Sequence, residues 1–174
     1  MRLRKLHKEE YHLFEKHLLR LSSEERLNRF EHQVSDEQVK NYVQNIRPND
    51  IIIGLYSSQQ VVGAAHLSVT DHHAFEEGKA EVGLSVESEY QGLGLGTDLM
   101  QAAITQSQLR GYKKLTILCK SDNLPMIKIA DKFGARIKSS NGQTYAYLNL
   151  IFSAKPKKNF KRELGLASMK TDII

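Results

Sequence analysis

Tyr90-Gln91-Gly92-Leu93-Gly94-Leu95-Gly96-Thr97-Asp98-Leu99-Met100 decides how this chain folds. Three glycines alternate with leucines, directly after an apolar run (Val82, Leu84, Val86) and directly before an amphipathic one (Leu95, Leu99, Ala102, Ala103 and Leu109 on one face, closed by Gly111). The first run reads as a strand and the second as a helix, so the glycines occupy a strand-to-helix junction. Glycine there lets backbone N–H groups approach a ligand with no Cβ in the way. The helix that opens adds its unsatisfied N–H groups and the positive end of its dipole. Such a junction is a phosphate cradle.

Working outward, Leu3 and Leu6 alternate as a first strand over residues 1–6. Tyr11, Phe14, Leu18 and Leu21 recur at helical spacing over residues 8–21. Ser22…Glu25 and Ser35…Gln38 read as capping boxes, the second opening a helix to about Ile46 that Arg47-Pro48-Asn49-Asp50 stops. Ile51–Tyr56 and Val61–Val69 are β-rich runs joined by Ser57-Ser58-Gln59-Gln60, a hairpin. A polar loop, Asp71–Gly78, leads to a strand at Lys79–Val86. After the glycine-rich helix come a strand at Leu115–Cys119 and a helix from Asp122 to about Phe133, with Pro125 in its first turn and Gly134 at its end. Ala135–Lys138 and Thr144–Phe152 form a last pair of strands around Asn141-Gly142. The expected order is β-α-α-β-β-β-α-β-α-β-β: an α/β (α+β) single domain with a mixed central sheet and helices on both faces.

The 174 residues fit one core, and 40% hydrophobic with 26% charged residues is ordinary for a soluble globular chain. No apolar stretch could span a bilayer, and Met1-Arg2-Leu3-Arg4-Lys5 is not a signal peptide, so no membrane partner and a cytoplasmic location are expected. Cys119 is the only cysteine, which excludes an internal disulfide and a cysteine-based metal cage. His72-His73 with Glu76-Glu77 lacks the regular spacing of a metal site and reads as a solvated loop; no metal is expected. Most of the net charge of +5 sits in residues 153–174, a basic extension expected to be loosely ordered or docked on a partner. The remaining body is near neutral, so nucleic acid is not expected as a partner.

A dinucleotide fold needs Gly-x-Gly-x-x-Gly near a first strand; from Gly92 the third position is Thr97 and from Gly94 it is Leu99. A Walker A loop needs Gly-Lys-Ser/Thr, and Gly96-Thr97 carries no lysine. What stands is Gln91-x-x-Gly94-x-Gly96, which resembles the signature of the GNAT superfamily of acetyl-CoA-dependent acyltransferases, Gln/Arg-x-x-Gly-x-Gly/Ala at a strand-to-helix turn. Asn123-Leu124-Pro125-Met126 through Lys132-Phe133-Gly134-Ala135 resembles the superfamily's second conserved segment, and the resemblance extends over residues 1–152.

The resemblance implies that amides of Gly92, Leu93, Gly94, Leu95, Gly96 and Thr97 hold the pyrophosphate of coenzyme A, with Gln91 ordering the loop. It implies that the preceding strand splays from the next, that backbone around Leu84 and Val86 pairs with the pantetheine arm, and that Asn123 lies near that arm as well as capping its helix. The implied activity is acetyl-CoA-dependent N-acetyl transfer by direct attack of an amine, positioned and polarised rather than covalently catalysed. The alternative is an acyl-CoA-binding regulatory or docking module with little turnover. Glu81 shares a strand face with Gly83 and Ser85, where superfamily members carry a glutamate acting as general base; the other reading is a solvated glutamate. Many members protonate the leaving thiolate with a tyrosine whose place here is taken by Ala130. Water, a backbone N–H or another residue (Cys119, Ser121, Tyr145 and Tyr147 are the candidates) takes its part, or the thiolate leaves unprotonated, which a thiol pKa of about 8.5 tolerates. Tyr11, Phe14, Phe30 and Tyr42 read as core on helices that border the acceptor site, and His66 as a satisfied sheet residue. The acceptor amine, small molecule or protein, stays open, as does a homodimer.

Overall fold

The computed structural model describes residues 1–69 and 78–151. The loop with His72, His73, Glu76 and Glu77, the residue Phe152, and the basic extension over residues 153–174 lie outside the described residues. Seven strands, β1 (Arg2–Lys5), β2 (Ile51–Ser57), β3 (Gln60–Val69), β4 (Lys79–Val86), β5 (Lys114–Lys120), β6 (Arg136–Ser140) and β7 (Gln143–Asn149), form one sheet in the order β1-β2-β3-β4-β5-β7-β6. Neighbours run antiparallel except β4 and β5. The α-helices among the described residues are α1 (Tyr11–Arg20), α2 (Ser23–Phe30), α3 (Asp36–Gln44), α4 (Leu95–Leu109) and α5 (Leu124–Lys132).

The central strands are buried on both faces, which is why β2 reads as an unbroken apolar run. Ile51, Ile53 and Leu55 face a core shared with Val82, Leu99, Met100, Ala103 and Ile117, under α4 and α5. Ile52 and Tyr56 face a second core with Phe14, Leu18, Val39 and Val43, under α1 and α3. Helices therefore cover both faces, as expected.

Three expectations need correction. The Ser22 box opens a separate helix, α2, so three helices rather than two precede β2; both boxes close in full, Ser22 with Glu25 and Ser35 with Gln38. Leu109 is 70% exposed, not on the apolar face of α4. At 100° per residue it lies about 80° round from Leu99. The last strand stops at Asn149, short of Phe152.

The feature that shapes the molecule is a parting of strands. β4 stays on β3 through Val86, but pairs with β5 only at Lys79, Ala80 and Glu81. Glu87 N–H donates to Val62 O (3.0 Å), one step beyond the β3 ladder. By antiparallel alternation Gly83, Ser85 and Glu87 aim backbone groups at β3, and Leu84 and Val86 aim theirs into the gap.

Helix α1 holds this free end of β4 from the side. His17 is fully buried. Its Nδ1–H donates to Glu87 Oε1 (2.9 Å), and its Nε2 accepts from the Ser85 hydroxyl (2.8 Å). Arg20 donates to both Glu87 oxygens and to Val61 O. Burial works to raise the Glu87 pKa, but the hydrogen bonds from His17 and Arg20 outweigh it and hold the carboxylate below its usual range. Burial lowers the pKa of His17 below 6.5 and outweighs the opposing pull of Glu87.

The linkage has a definite sign. Below about pH 6.5 the unfolded chain binds a proton that folded His17 refuses, so stability falls on acidification through that window and gains no slope from His17 above it. Urea unfolding between pH 8 and 5 should show this loss, and His17→Gln should flatten it while lowering stability at every pH. Equal slopes in the two proteins would overturn the buried neutral assignment.

Candidate functional site

Two cavities meet along β4. The first, about 700 Å³, runs from the parted strands into the glycine-rich turn and is lined by Leu84, Ser85 and Val86, by Tyr90 to Gly92, by Gly94 to Thr97, and by Asn123 to Met126. Of the expected coenzyme residues, Leu84, Val86, Gln91, Gly92, Gly94, Leu95, Gly96, Thr97 and Asn123 border it; Leu93 is 66% exposed and does not line it.

The turn is built to leave amides free. Gly92 and Gly94 take positive φ (74° and 82°), conformations that side chains resist, and a Cβ at either would meet nothing within 4 Å. The first backbone bonds of α4 run from Thr97 and Asp98 N–H to Gly94 O. The N–H groups of Gly92, Leu93, Gly94, Leu95 and Gly96 have no partner among the described residues. Five consecutive free amides at a helix N-terminus form an anion cradle. Gly96 also serves helix packing. A Cβ there would sit 3.0 Å from Ile129 Cδ1, so glycine lets α4 close on α5.

Gln91 ties this turn down. Its Nε2 donates to Val86 O (2.8 Å) and to Glu25 Oε1 (3.0 Å), joining the turn to β4 and α2. Asn123 caps α5, its Oδ1 accepting from Met126 N–H (3.2 Å), while also bordering the cleft. Ala130 is buried in the core and offers no hydroxyl. Of its candidate substitutes none borders the cleft: burial pushes the Cys119 thiol up to about 11, Ser121 bonds Thr144, and Tyr145 stacks on Tyr147. The hydroxyls that do border it are those of Ser85, Tyr90 and Thr97.

The second cavity, about 550 Å³, opens on the α1–α3 face of the sheet. Glu81 and Gly83 line it from β4, with His66 and Ser68 from β3, Asp50 before β2, and Gln38, Asn41, Tyr42 and Asn45 from α3 and its C-terminal end. Ser85, which shares their strand face, lines the first cavity instead. Arg29 borders both cavities. His66 is buried, as a satisfied sheet residue should be, and burial holds its pKa below 6.5 against the pull of Asp50. For Asp50, burial raises the pKa, but the bonds it accepts from His66, Val69 and Arg47 bring it below its usual value. Neutral His66 thus donates Nε2–H to Asp50 (3.1 Å) and accepts the Tyr42 hydroxyl proton at Nδ1, and Tyr42 accepts from Arg29 Nη2 (2.6 Å).

Sequence reasoning overlooked Arg29, Asp50 and His17 as site-building groups. For His17 a signal existed: it sits between Phe14 and Leu18 on the apolar stripe of α1, where a polar residue needs buried partners.

Among the described residues no helix is long and apolar enough to cross a membrane. A sequence profile of the Acetyltransferase (GNAT) family matches residues 7–135. Acetyltransferase Pat of Mycolicibacterium smegmatis is 39% identical over 56 residues, which are 32% of this chain and 17% of that protein. The GNAT domain of S. lividans PAT superposes with a TM-score of 0.71 at 15% identity, covering 84% of this chain and 89% of that one. The yncA protein of Salmonella typhimurium, solved with its cofactor acetyl-CoA, superposes with a TM-score of 0.64 at 17% identity, covering 91% and 98%. With the profile spanning most of its length, this chain belongs to the GNAT acetyltransferase family.

Proposed function

We propose that this chain is an acetyl-CoA-dependent N-acetyltransferase that moves the acetyl group directly onto an amine. The observation that carries the reading is continuity: five free amides at the N-terminus of α4 run into the gap where Leu84 and the Val86 N–H face no strand, the Val86 carbonyl being taken by Gln91. A ligand with a diphosphate at one end and an amide-bearing arm behind it satisfies both, and a cleft of about 700 Å³ accommodates the arm.

In this reading the free amides of Gly92 to Gly96 hold the pyrophosphate, with Thr97, its own N–H bonded to Gly94 O, at the cleft wall. Gln91 keeps the turn in place, and Leu84 and the Val86 N–H hydrogen-bond the pantetheine arm as a neighbouring strand would. Asn123 borders the arm from α5. Bound acetyl-CoA supplies a thioester carbonyl open to attack by a neutral amine. The Leu84 N–H, aimed into the gap, is the donor placed to stabilise charge on that carbonyl oxygen. Glu81 takes the proton from the acceptor nitrogen, directly or through one water, as the C–N bond forms and the C–S bond breaks with its electron pair on sulfur. A free thiol ionises near pH 8.5, so the thiolate leaves without the missing tyrosine.

Two substitutions test this. Gly94→Asp sets a carboxylate where phosphate should lie; a side chain at this positive φ costs about 1–2 kcal/mol and the helix dipole offsets part of it, so the protein should keep its circular dichroism spectrum and lose acetyl-CoA binding by at least about 100-fold in calorimetry. Unchanged affinity would put the coenzyme elsewhere. Glu81→Gln should lower turnover at neutral pH by about 10²–10⁴-fold with acetyl-CoA affinity intact. Unchanged turnover would remove Glu81 as the base, while tight acetyl-CoA binding with no thiol release from any amine would favour the regulatory module.

A further inference from the structure

We propose that the acceptor is a free amino acid, a small molecule bearing a carboxylate close to its primary amine, and that Arg29 selects it; this rests on the N-acetyltransferase reading above. Arg29 comes from α2 and lies flat against β4. A Cβ at Gly83 would stand 2.5 Å from its Cζ and Nη1, so only glycine leaves room for the guanidinium there. The group is held by neutral partners: the Tyr42 hydroxyl at 2.6 Å, the Phe30 ring at 5.0 Å and the Tyr42 ring at 5.5 Å. Among the described residues it forms no salt bridge.

Glu31 lies near enough for the Arg29 charge to act on its carboxyl, but it makes no ion pair with Arg29. A half-buried guanidinium whose fork is oriented, partly stripped of water and bonded to no carboxylate is organised to receive one. Its position gives the bound anion a purpose. Arg29 borders both cavities, at the junction an acceptor must occupy to reach the coenzyme arm.

The opposite charge is also in place. Asp50 is occupied by His66, Val69 N–H and Arg47 N–H. The Glu81 carboxylate makes no hydrogen bond or ion pair among the described residues, Glu31 nearby only repelling it, and Glu81 shares its strand face with Gly83. Two residues along a strand is about 6.6 Å, a distance that an amine and a carboxylate on one small molecule bridge when each is hydrogen-bonded. A lysine side chain on a protein brings no anion near its amine and would leave Arg29 unanswered. The cavity of about 550 Å³, with the side-chain amides of Gln38, Asn41 and Asn45 on its wall, suits a small polar guest.

The test offers the full-length protein acetyl-CoA with the twenty L-amino acids, β-alanine and γ-aminobutyrate, each acid set beside its carboxamide and its decarboxylated amine, together with a lysine-containing peptide. Thiol release and product mass are read. The expected result is at least one acid turned over with kcat/KM about 30-fold or more above its amide and amine, the value of one charge-assisted bond. Arg29→Gln should raise KM for that acid by a similar factor and erase the preference, and Arg29→Lys should restore part of it. Equal use of acids and amides overturns the proposal, as does preference for the peptide, or a preference that survives in Arg29→Gln. A rise in the acetyl-CoA dissociation constant in place of acceptor KM would assign Arg29 to the coenzyme and overturn it too. If wild-type protein fails to bind acetyl-CoA, the transferase reading itself falls; binding with transfer only to uncharged amines, or to none of the panel, defeats the acceptor class alone.

Discussion

Everything at this site depends on one interruption: β4 stops pairing with β5 after Glu81 while remaining on β3. An unpaired, water-excluded backbone group costs about 1–3 kcal/mol, so a sheet does not part in its middle without arrangements that hold it open. Here those arrangements are visible on three sides. β3 keeps the ladder on one edge, His17 and Arg20 grip Ser85 and Glu87 from α1, and Gln91 satisfies the Val86 carbonyl from the turn. The gap is thus an edge strand facing inward, a place where an extended ligand can complete the sheet.

The same constraint explains the glycine-rich turn. A strand released from its neighbour must deliver the chain to α4 without covering the mouth of the gap. Gly92 and Gly94 do this through left-handed conformations that expose successive N–H groups. Gly96 contributes by letting α4 close on Ile129 of α5, which brings Asn123 to the cleft wall. Three glycines that look equivalent in the sequence therefore do two different things.

What could be read from the sequence was local. The strand, turn and helix around Gly92–Gly96, the two capping boxes, the Asn141-Gly142 hairpin and the Asn123 cap all rest on contacts within a few residues, and all are found where the pattern put them. What escaped is built across distance. His17 meets Glu87 and Ser85 about seventy positions later, Tyr42 meets His66, and Arg29 meets Gly83. No periodicity encodes such pairs, because each partner has an ordinary reading on its own element. Leu109 fails in the opposite direction: it is an apolar residue at the end of a helix, rotated away from the face that its hydrophobicity suggests. Ala130 shows the limit of a motif carried over residue by residue. The aligned position is present, but its side chain is in the core, and the cleft hydroxyls belong to Ser85, Tyr90 and Thr97.

On the proposed reading, the alternation of β4 lets one strand serve two ligands without conflict. Residues 82, 84 and 86 turn their backbone polar groups toward the gap, whereas Glu81 and Gly83 turn toward the α1–α3 face, where side chains and the Arg29 guanidinium define the second cavity. Recognition at the gap uses main-chain atoms that every residue type possesses, so it is indifferent to most substitutions on the opposite face. Recognition at the second cavity uses the side chains of that face and whatever packs on it. Gly83 is where the two schemes touch, since a side chain there would displace Arg29 from the junction of both cavities. A strand with this arrangement can keep its hold on one ligand while the chemistry of the other is reset by two or three side chains. On the proposed reading, acceptor choice therefore lies with Arg29, Tyr42 and Glu81 and not with the glycine-rich turn.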